Sequence, residues 1–171
     1  MPQPRPGEGY ESVDQILRDI LRSAIDVTGS EQAFILVSRD STILEVVCAR
    51  GIRPREVIDA VLNRAASAVH MALRERTLVF ADHSGRTVPV LDGFFEINDA
   101  AVLGLPLDLG LRSSGTLCLI RRRGARRVSD LDLEIVQALA EQAALAIGAA
   151  SHQTALTRLA DSLGGLAPAL A

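Results

Sequence analysis

Residues 33–37 read Ala-Phe-Ile-Leu-Val, and residues 43–49 read Ile-Leu-Glu-Val-Val-Cys-Ala. Both runs are short, apolar and rich in residues that favour strands, and the polar segment Arg39-Asp40-Ser41 separates them. Two such runs joined by a polar turn are typical of a β-hairpin. We place this hairpin at the centre of the predicted fold.

Amphipathic helices flank the hairpin on both sides. Before it, Ser12 begins a helix with Gln15 three residues on, and apolar residues recur at helical spacing until Thr28-Gly29. After it, Pro54 begins a second helix whose apolar face extends to Leu73.

The second half of the chain predicts three further strands, over residues 77–81, 100–107 and 115–121. Residues 82–99 have no hydrophobic period and contain Gly and Pro. A loop of that length inside a compact domain is usually a functional lid or a binding loop.

The last helix has the clearest start in the sequence. Ser129 and Asp132 form an S-x-x-D capping box, and the helical pattern extends to about Leu163, where Gly164-Gly165 ends it. The order helix, two strands, helix, strand, loop, two strands, helix predicts an α+β fold with a central antiparallel sheet of about five or six strands.

Four blocks of this sequence follow one another at the spacing of a known family. They are residues 33–37, residues 44–51, residues 68–79, and a last block joining 102–107, 115–117 and 128–134. Over residues 11–150 they resemble a GAF domain, a small sensor module of bacterial signalling proteins. A PAS domain and a roadblock-type domain share the layout of a sheet with helices and are the alternatives.

The resemblance implies that the N- and C-terminal helices pack on one face of the sheet, and that a ligand pocket with its loops lies on the other. The cyclic-nucleotide type resembles a pattern that requires Lys, and this chain has none. Bilin-binding types and free methionine sulfoxide reductases carry Cys in the region corresponding to residues 77–112, which has none here. We therefore expect a regulatory domain without a cofactor, and an enzyme similar to free methionine sulfoxide reductase is the remote alternative.

Candidate pocket residues come from the third strand, the long loop and the strands beside them. Asp82-His83 stands at the mouth of the loop, where a histidine can contact a ligand or a metal, although capping of the loop is the simpler interpretation. Phe94-Phe95 either lines a pocket or fills the core. With no catalytic residue and no metal ligand assigned, the candidates are Phe80, Asp82, His83, Phe94, Phe95, Leu105 and Leu117.

Charge and composition exclude several classes of partner. The net charge of −3 argues against nucleic acid, and the basic cluster Arg121–Arg127 is interpreted as a solvated turn. No uncharged apolar run reaches about 18 residues, so we expect no membrane span. The N-terminus lacks the apolar segment of a secretory signal, which predicts a cytoplasmic protein. Cys48 and Cys118 lie in apolar strands, which predicts buried thiols without redox function.

The last helix carries two apolar stripes. The first suits packing on the domain's own sheet and comprises Leu133, Val136, Ala140, Ala143 and Ile147. The second alternates steps of four and three residues, as a coiled-coil seam does, and comprises Leu131, Ile135, Ala138, Gln142, Leu145, Ala149, His152, Leu156, Leu159 and Leu163. It predicts a parallel homodimer, and the alternative is a helix that folds back near residue 150 over its own domain.

The predicted organisation is a flexible lead-in over residues 1–10, the GAF domain over 11–150, a helical extension over 151–164 and a tail over 165–171. The leading hypothesis is a regulatory domain that binds an unidentified small molecule and transmits through dimeric terminal helices. Its output would be a domain on a longer chain or a separate partner protein. The alternative is a GAF domain without a ligand that serves dimerisation or docking.

Overall fold

A computed structural model describes residues 8–39, 43–61, 66–90, 100–110 and 113–164 of the chain. The helices are α1 (Glu8–Thr28), α2 (Pro54–Ala60), α3 (Ala66–Glu75) and α4 (Asp130–Gly164). The strands are β1 (Gln32–Arg39), β2 (Ile43–Arg50), β3 (Val79–Asp82), β4 (Thr87–Pro89), β5 (Ala100–Asp108) and β6 (Ser113–Ile120).

The six strands form one sheet in the order β2-β1-β6-β5-β3-β4, and every neighbouring pair is antiparallel. In β1, Phe34 pairs with Ala49 of the predicted hairpin on one side and with Cys118 of β6 on the other. Residues 33–37 are all buried, because elements cover both faces of this inner strand. The predicted α+β fold with an antiparallel sheet is confirmed.

Alternate strand residues enter two separate cores, since successive side chains of a strand point to opposite faces. Ile35, Leu105 and Leu117 pack with α1 and α4 on one face. Phe34 and Cys118 pack with α2 and α3 on the other. The expectation that the N- and C-terminal helices share one face is therefore confirmed.

The predicted loop over residues 82–99 contains a short strand, β4, so the expectation of an irregular segment is wrong for residues 87–89. The turn between β3 and β4 closes on Asp82 Oδ1, which accepts hydrogen bonds from the Ser84 amide (2.9 Å), the Ser84 hydroxyl (2.6 Å) and the Arg86 amide (3.0 Å). Side-chain oxygens of Asp stabilise turns in this way. Residues 91–99 lie outside the described residues.

Two helix boundaries also differ from expectation. α1 begins at Glu8 rather than at Ser12, so residues 8–10 are helical rather than part of a lead-in. The single helix predicted from Pro54 is described as α2 and α3, and residues 62–65 between them lie outside the described residues.

α4 is one continuous helix of 35 residues, so it does not fold back near residue 150. Its capping box is confirmed: Ser129 Oγ accepts from the Asp132 amide at 3.1 Å, and Asp132 Oδ2 accepts from the Ser129 amide at 2.9 Å. Hydrogen bonding, chiefly from the Ser129 amide, holds the pKa of Asp132 below its ordinary value. The capping box therefore determines the residue at which α4 begins.

Candidate functional site

The structure does not bring all the predicted pocket residues together. Leu105 and Leu117 are paired across β5 and β6 and are fully buried in the core beneath α1 and α4. Phe80, which is half-buried, packs against the same core. These three side chains lie on the face of the terminal helices rather than on the face of α2 and α3. Phe94 and Phe95 lie outside the described residues.

Asp82 and His83 line a surface groove of about 580 Å³ at one end of the sheet. Its lining comes from the β3–β4 turn (residues 82–85), the start of β5 at Ala101 and Val102, and the segment from Ile120 through Arg121–Arg123. Glu31, before β1, completes the lining. The volume is in the range of sites that hold small molecules.

Positive side chains predominate in the groove. Arg121, Arg122 and Arg123 line it together with the two acids Glu31 and Asp82. Glu31 approaches Arg122 only to 3.8 Å, with both side chains exposed, and an exposed pair of this kind contributes little. Asp82 is engaged by its own turn, and the hydrogen bond from Ser84 is the main reason that its pKa lies below its ordinary value.

Arg121 is a buried residue, 3% exposed, so the interpretation of residues 121–127 as a solvated turn is wrong at this position. Its Nε–H donates to the Thr28 carbonyl at the end of α1 (3.2 Å), and its Nη2 donates to the Arg126 carbonyl. Arg126 in turn donates to Asp132 in the first turn of α4 at 2.9 Å. One wall of the groove is thus connected by hydrogen bonds to both terminal helices.

The sequence contains a signal for this position of Arg121. Leu117 and Leu119 are the inward residues of β6 on the face of the terminal helices, and Arg121 is the next residue in that alternation. Desolvation, with a smaller contribution from the charge of Arg126, lowers the pKa of Arg121 from its ordinary value. Carbonyl oxygens satisfy the guanidinium there, as a buried charge requires.

The two thiols have the properties expected of structural cysteines. Burial raises the pKa of Cys118 to about 12, and Cys118 is fully buried. Cys48 is half-buried, and burial together with the negative charge of Asp14 raises its pKa. Reactive thiols have lowered pKa values in exposed, electropositive surroundings.

We expect neither Cys48 nor Cys118 to react within minutes with dithionitrobenzoate at pH 7.5, because little thiolate is present and the reagent is bulky. The release of thionitrobenzoate, followed at 412 nm, measures the reaction, and the chain unfolded in guanidinium provides the two-thiol control. Release of one equivalent from the folded protein within minutes would contradict the structural role.

α4 presents an uncovered apolar stripe to solvent. Its inward stripe is buried as predicted, from Leu133 through Ile147. In the second stripe every side chain that the structure describes is exposed, from Leu131 to Leu159. Among its large apolar side chains the most exposed are Leu145 at 74%, Leu156 at 69% and Leu131 at 64%. The side chain of Leu163 lies outside the described residues.

By length and composition α4 is apolar enough to cross a membrane, a test that a core helix of a soluble protein also passes. Lipid cannot surround it, however, because Val136, Ala140 and Ala143 are at most 3% exposed and pack on the domain's own sheet. Beyond the sheet, Arg158 and Asp161 add charges to the exposed extension. The apolar character of α4 therefore comes from two faces with different neighbours.

A second cleft, of about 510 Å³, lies at the opposite end of β5 and β6. Leu73 and Arg76 line it from α3 and the residue after it, and Glu141 and Leu145 line it from α4. Leu145 belongs to the exposed stripe, so any protein that covers the stripe also alters this cleft. Within the described residues, no group of three or more His, Cys, Asp and Glu side chains is arranged to hold a metal ion.

Comparisons with known proteins agree on one family. A family model described as a GAF domain matches residues 11–148. The second GAF domain of DevS from Mycobacterium smegmatis is 28% identical, with a TM-score of 0.58 over 84% of this chain and 99% of that one. None of the curated proteins matches the chain.

Two more distant structures share the fold. A GAF domain/HD domain protein from Geobacter sulfurreducens is 18% identical, with a TM-score of 0.57 over 83% of this chain and 94% of that one. A methyl-accepting chemotaxis protein is 21% identical, with a TM-score of 0.54 over 79% of this chain and 88% of that one. These two likenesses concern the fold, which is that of the matched family.

Proposed function

The chain belongs to the GAF domain family, and from that premise we propose that it is a regulatory module that binds a small molecule and transmits the binding event through paired α4 helices. It forms a parallel homodimer and acts on an output domain or a partner protein. GAF domains are generally regulatory sensing domains, which agrees with a chain to which we assign no catalytic residue.

The exposed stripe of α4 is the observation that carries this proposal. A surface helix needs only one apolar face, and α4 already uses one against its own sheet. The second face, from Leu131 to Leu159, spans about 42 Å at 1.5 Å per residue. Its alternation of four and three residues is the spacing at which two helices interdigitate.

A second copy of the chain is the occupant that fits the stripe best. From Ser151 to Ser162 every side chain except the half-buried Thr154 is exposed, so the extension lies beyond most of its own domain. A long stripe with coiled-coil spacing is complementary to itself, and in a parallel pair Gln142 meets Gln142 and His152 meets His152. Such polar positions fix register at some cost in stability.

The input of the proposed module is the groove beside Asp82 and His83. A ligand there contacts the segment that begins at Arg121, whose hydrogen bonds reach the end of α1 and the region where α4 begins. Leu105, Leu117 and Phe80 contribute indirectly, because they form the core on which the terminal helices rest. The second candidate function is a ligand-free dimerisation module, which the exposed stripe supports equally well.

A cysteine cross-link tests the parallel arrangement. We expect Leu156→Cys to form a disulfide-linked dimer on mild oxidation, because equal seam positions lie close together in a parallel pair. In an antiparallel pair whose two stripes, residues 131–163, overlap fully, Leu156 faces Ala138 instead. The two copies of residue 156 are then about 27 Å apart along the axis. Non-reducing gel electrophoresis measures the product.

Thr157→Cys is the matched control, because residue 157 is exposed one position away from the stripe. A cross-link through residue 156 and not through residue 157 supports the parallel seam. A cross-link that needs Leu156→Cys and Ala138→Cys together would establish an antiparallel pair, and equal cross-linking at residues 156 and 157 would overturn the seam itself.

A further inference from the structure

We propose that the groove at the end of β6 is a binding site for a small phosphorylated metabolite, held by Arg122 and Arg123 in front of the buried Arg121. This inference rests on the proposed function, in which the groove receives the ligand, and it adds the chemical class of that ligand. It begins from the position of three consecutive arginines in one groove wall.

The three arginines differ in how many contacts they already make within the fold. Arg121 is held from behind by the carbonyl oxygens of Thr28 and Arg126. Arg122 is 72% exposed and has only the long 3.8 Å contact to Glu31. Arg123 is exposed and takes part in none of the ion pairs found among the described residues. Two guanidinium groups are therefore available at the surface of the groove.

The chemistry of these groups favours phosphate. A guanidinium presents paired N–H donors that match two oxygens of a phosphate, and it keeps its charge at any physiological pH. The acids of the groove oppose this only in part, because Asp82 Oδ1 is occupied by three hydrogen bonds of its own turn. A phosphate can displace Glu31 from Arg122 at small cost, since an exposed ion pair is weak.

The groove fits a small molecule better than a polyanion. About 580 Å³ is the size of a metabolite site. The described lining residues include no Phe, Tyr or Trp ring on which a nucleobase can stack, and the chain as a whole carries a net charge of −3. A nucleic acid strand or an anionic membrane would contact a wide area of the protein surface, and the negative net charge of the chain would repel it.

Arg121 connects the groove to both terminal helices through hydrogen bonds. Its hydrogen bonds lead directly to the last residue of α1 and to Arg126, which pairs with Asp132 in α4 at 2.9 Å. A phosphate held by Arg122 and Arg123 places negative charge beside this buried guanidinium. The ligand therefore acts where the two terminal helices meet the sheet.

Titration of the full chain with inorganic phosphate, followed by amide NMR, tests the proposal against sodium chloride at equal ionic strength. We expect saturable shifts at His83–Gly85 and Arg122–Arg123 with phosphate alone. Arg122→Ala with Arg123→Ala should weaken the apparent affinity at least tenfold, and both side chains are exposed, so the fold should persist. Arg53→Ala with Arg55→Ala, two exposed arginines at the start of α2, should change it less than twofold.

Several results would overturn the site. Shifts that chloride reproduces, or that the Arg122/Arg123 variant retains, would mean an adventitious ion only. Preferential binding of a 20-nucleotide single strand or of phosphatidylglycerol vesicles, lost in the same variant, would assign the arginines to a polyanion or a membrane instead. Light scattering on the same samples separates the two proposals, because a dimer that fails to bind phosphate contradicts only the ligand site.

Discussion

Leu156→Asp together with Leu159→Asp is expected to convert a dimer of this protein into a folded monomer. The two side chains are 69% and 60% exposed in the single chain, so the substitutions remove little of the packing within it. In the dimer they would place four carboxylates in an apolar seam. Burial of a leucine stabilises by about 1.5 to 3 kcal/mol, so the loss of four amounts to roughly 6 kcal/mol or more. Dimer affinity should fall by more than a thousandfold.

Light scattering across a concentration series measures this change, and circular dichroism reports whether the domain stays folded. Gln153→Asp with Thr157→Asp is the matched control, because it adds the same charge at exposed positions beside the stripe. The control should remain dimeric. Loss of the dimer in both variants would show that charge alone disrupts association, and retention in both would place the interface elsewhere.

Gly51→Ala is expected to destabilise the fold more than Gly124→Ala does. Gly51 has φ of +72°, and a Cβ at this position would lie 2.3 Å from the carbonyl oxygen of Glu31. Left-handed backbone costs a non-glycine residue about 1 to 2 kcal/mol, and overpacking adds about 1 to 3 kcal/mol. The free energy of unfolding should therefore fall by roughly 2 to 5 kcal/mol, and the Tm by about 10 °C.

Gly124→Ala isolates the two contributions. Gly124 has nearly the same φ, +73°, but no heavy atom lies within 4 Å of the Cβ position. The free energy of unfolding of Gly124→Ala should therefore fall only by the cost of left-handed backbone, about 1 to 2 kcal/mol. Thermal unfolding of both variants at one protein concentration makes the comparison, since dimerisation makes the Tm depend on concentration. Equal losses at residues 51 and 124 would show that the contact with Glu31 is not rigid.

The sequence predicts the elements of this fold well where a strong local signal exists. The Ser129–Asp132 capping box and the alternating apolar residues of α4 locate the last helix and both its faces. The short strand β4 was not predictable from hydrophobic pattern, because three residues carry no measurable period. Its local signal is Asp82, which the sequence offers both as a loop-capping residue and as a ligand contact, and which closes the turn before β4.

The candidate pocket was harder to predict, because both faces of the inner strands are buried. Residues 102–105 and 117–120 are continuous apolar runs, and such runs do not show which face each side chain enters. Leu105 and Leu117 consequently enter the core of the terminal helices rather than the opposite face. Arg121 follows the same alternation as Leu117 and Leu119. Its position in the groove depends on β6 ending at Ile120, and composition does not reveal that end.

Multi-angle light scattering of the unmodified chain at 50 µM measures whether the protein dimerises through α4. We expect a mass of twice the 18.2 kDa chain, because an exposed apolar stripe with coiled-coil spacing requires a second copy to cover it. A mass of 18.2 kDa from 10 to 100 µM would contradict the dimer and the transmission of any signal through paired helices.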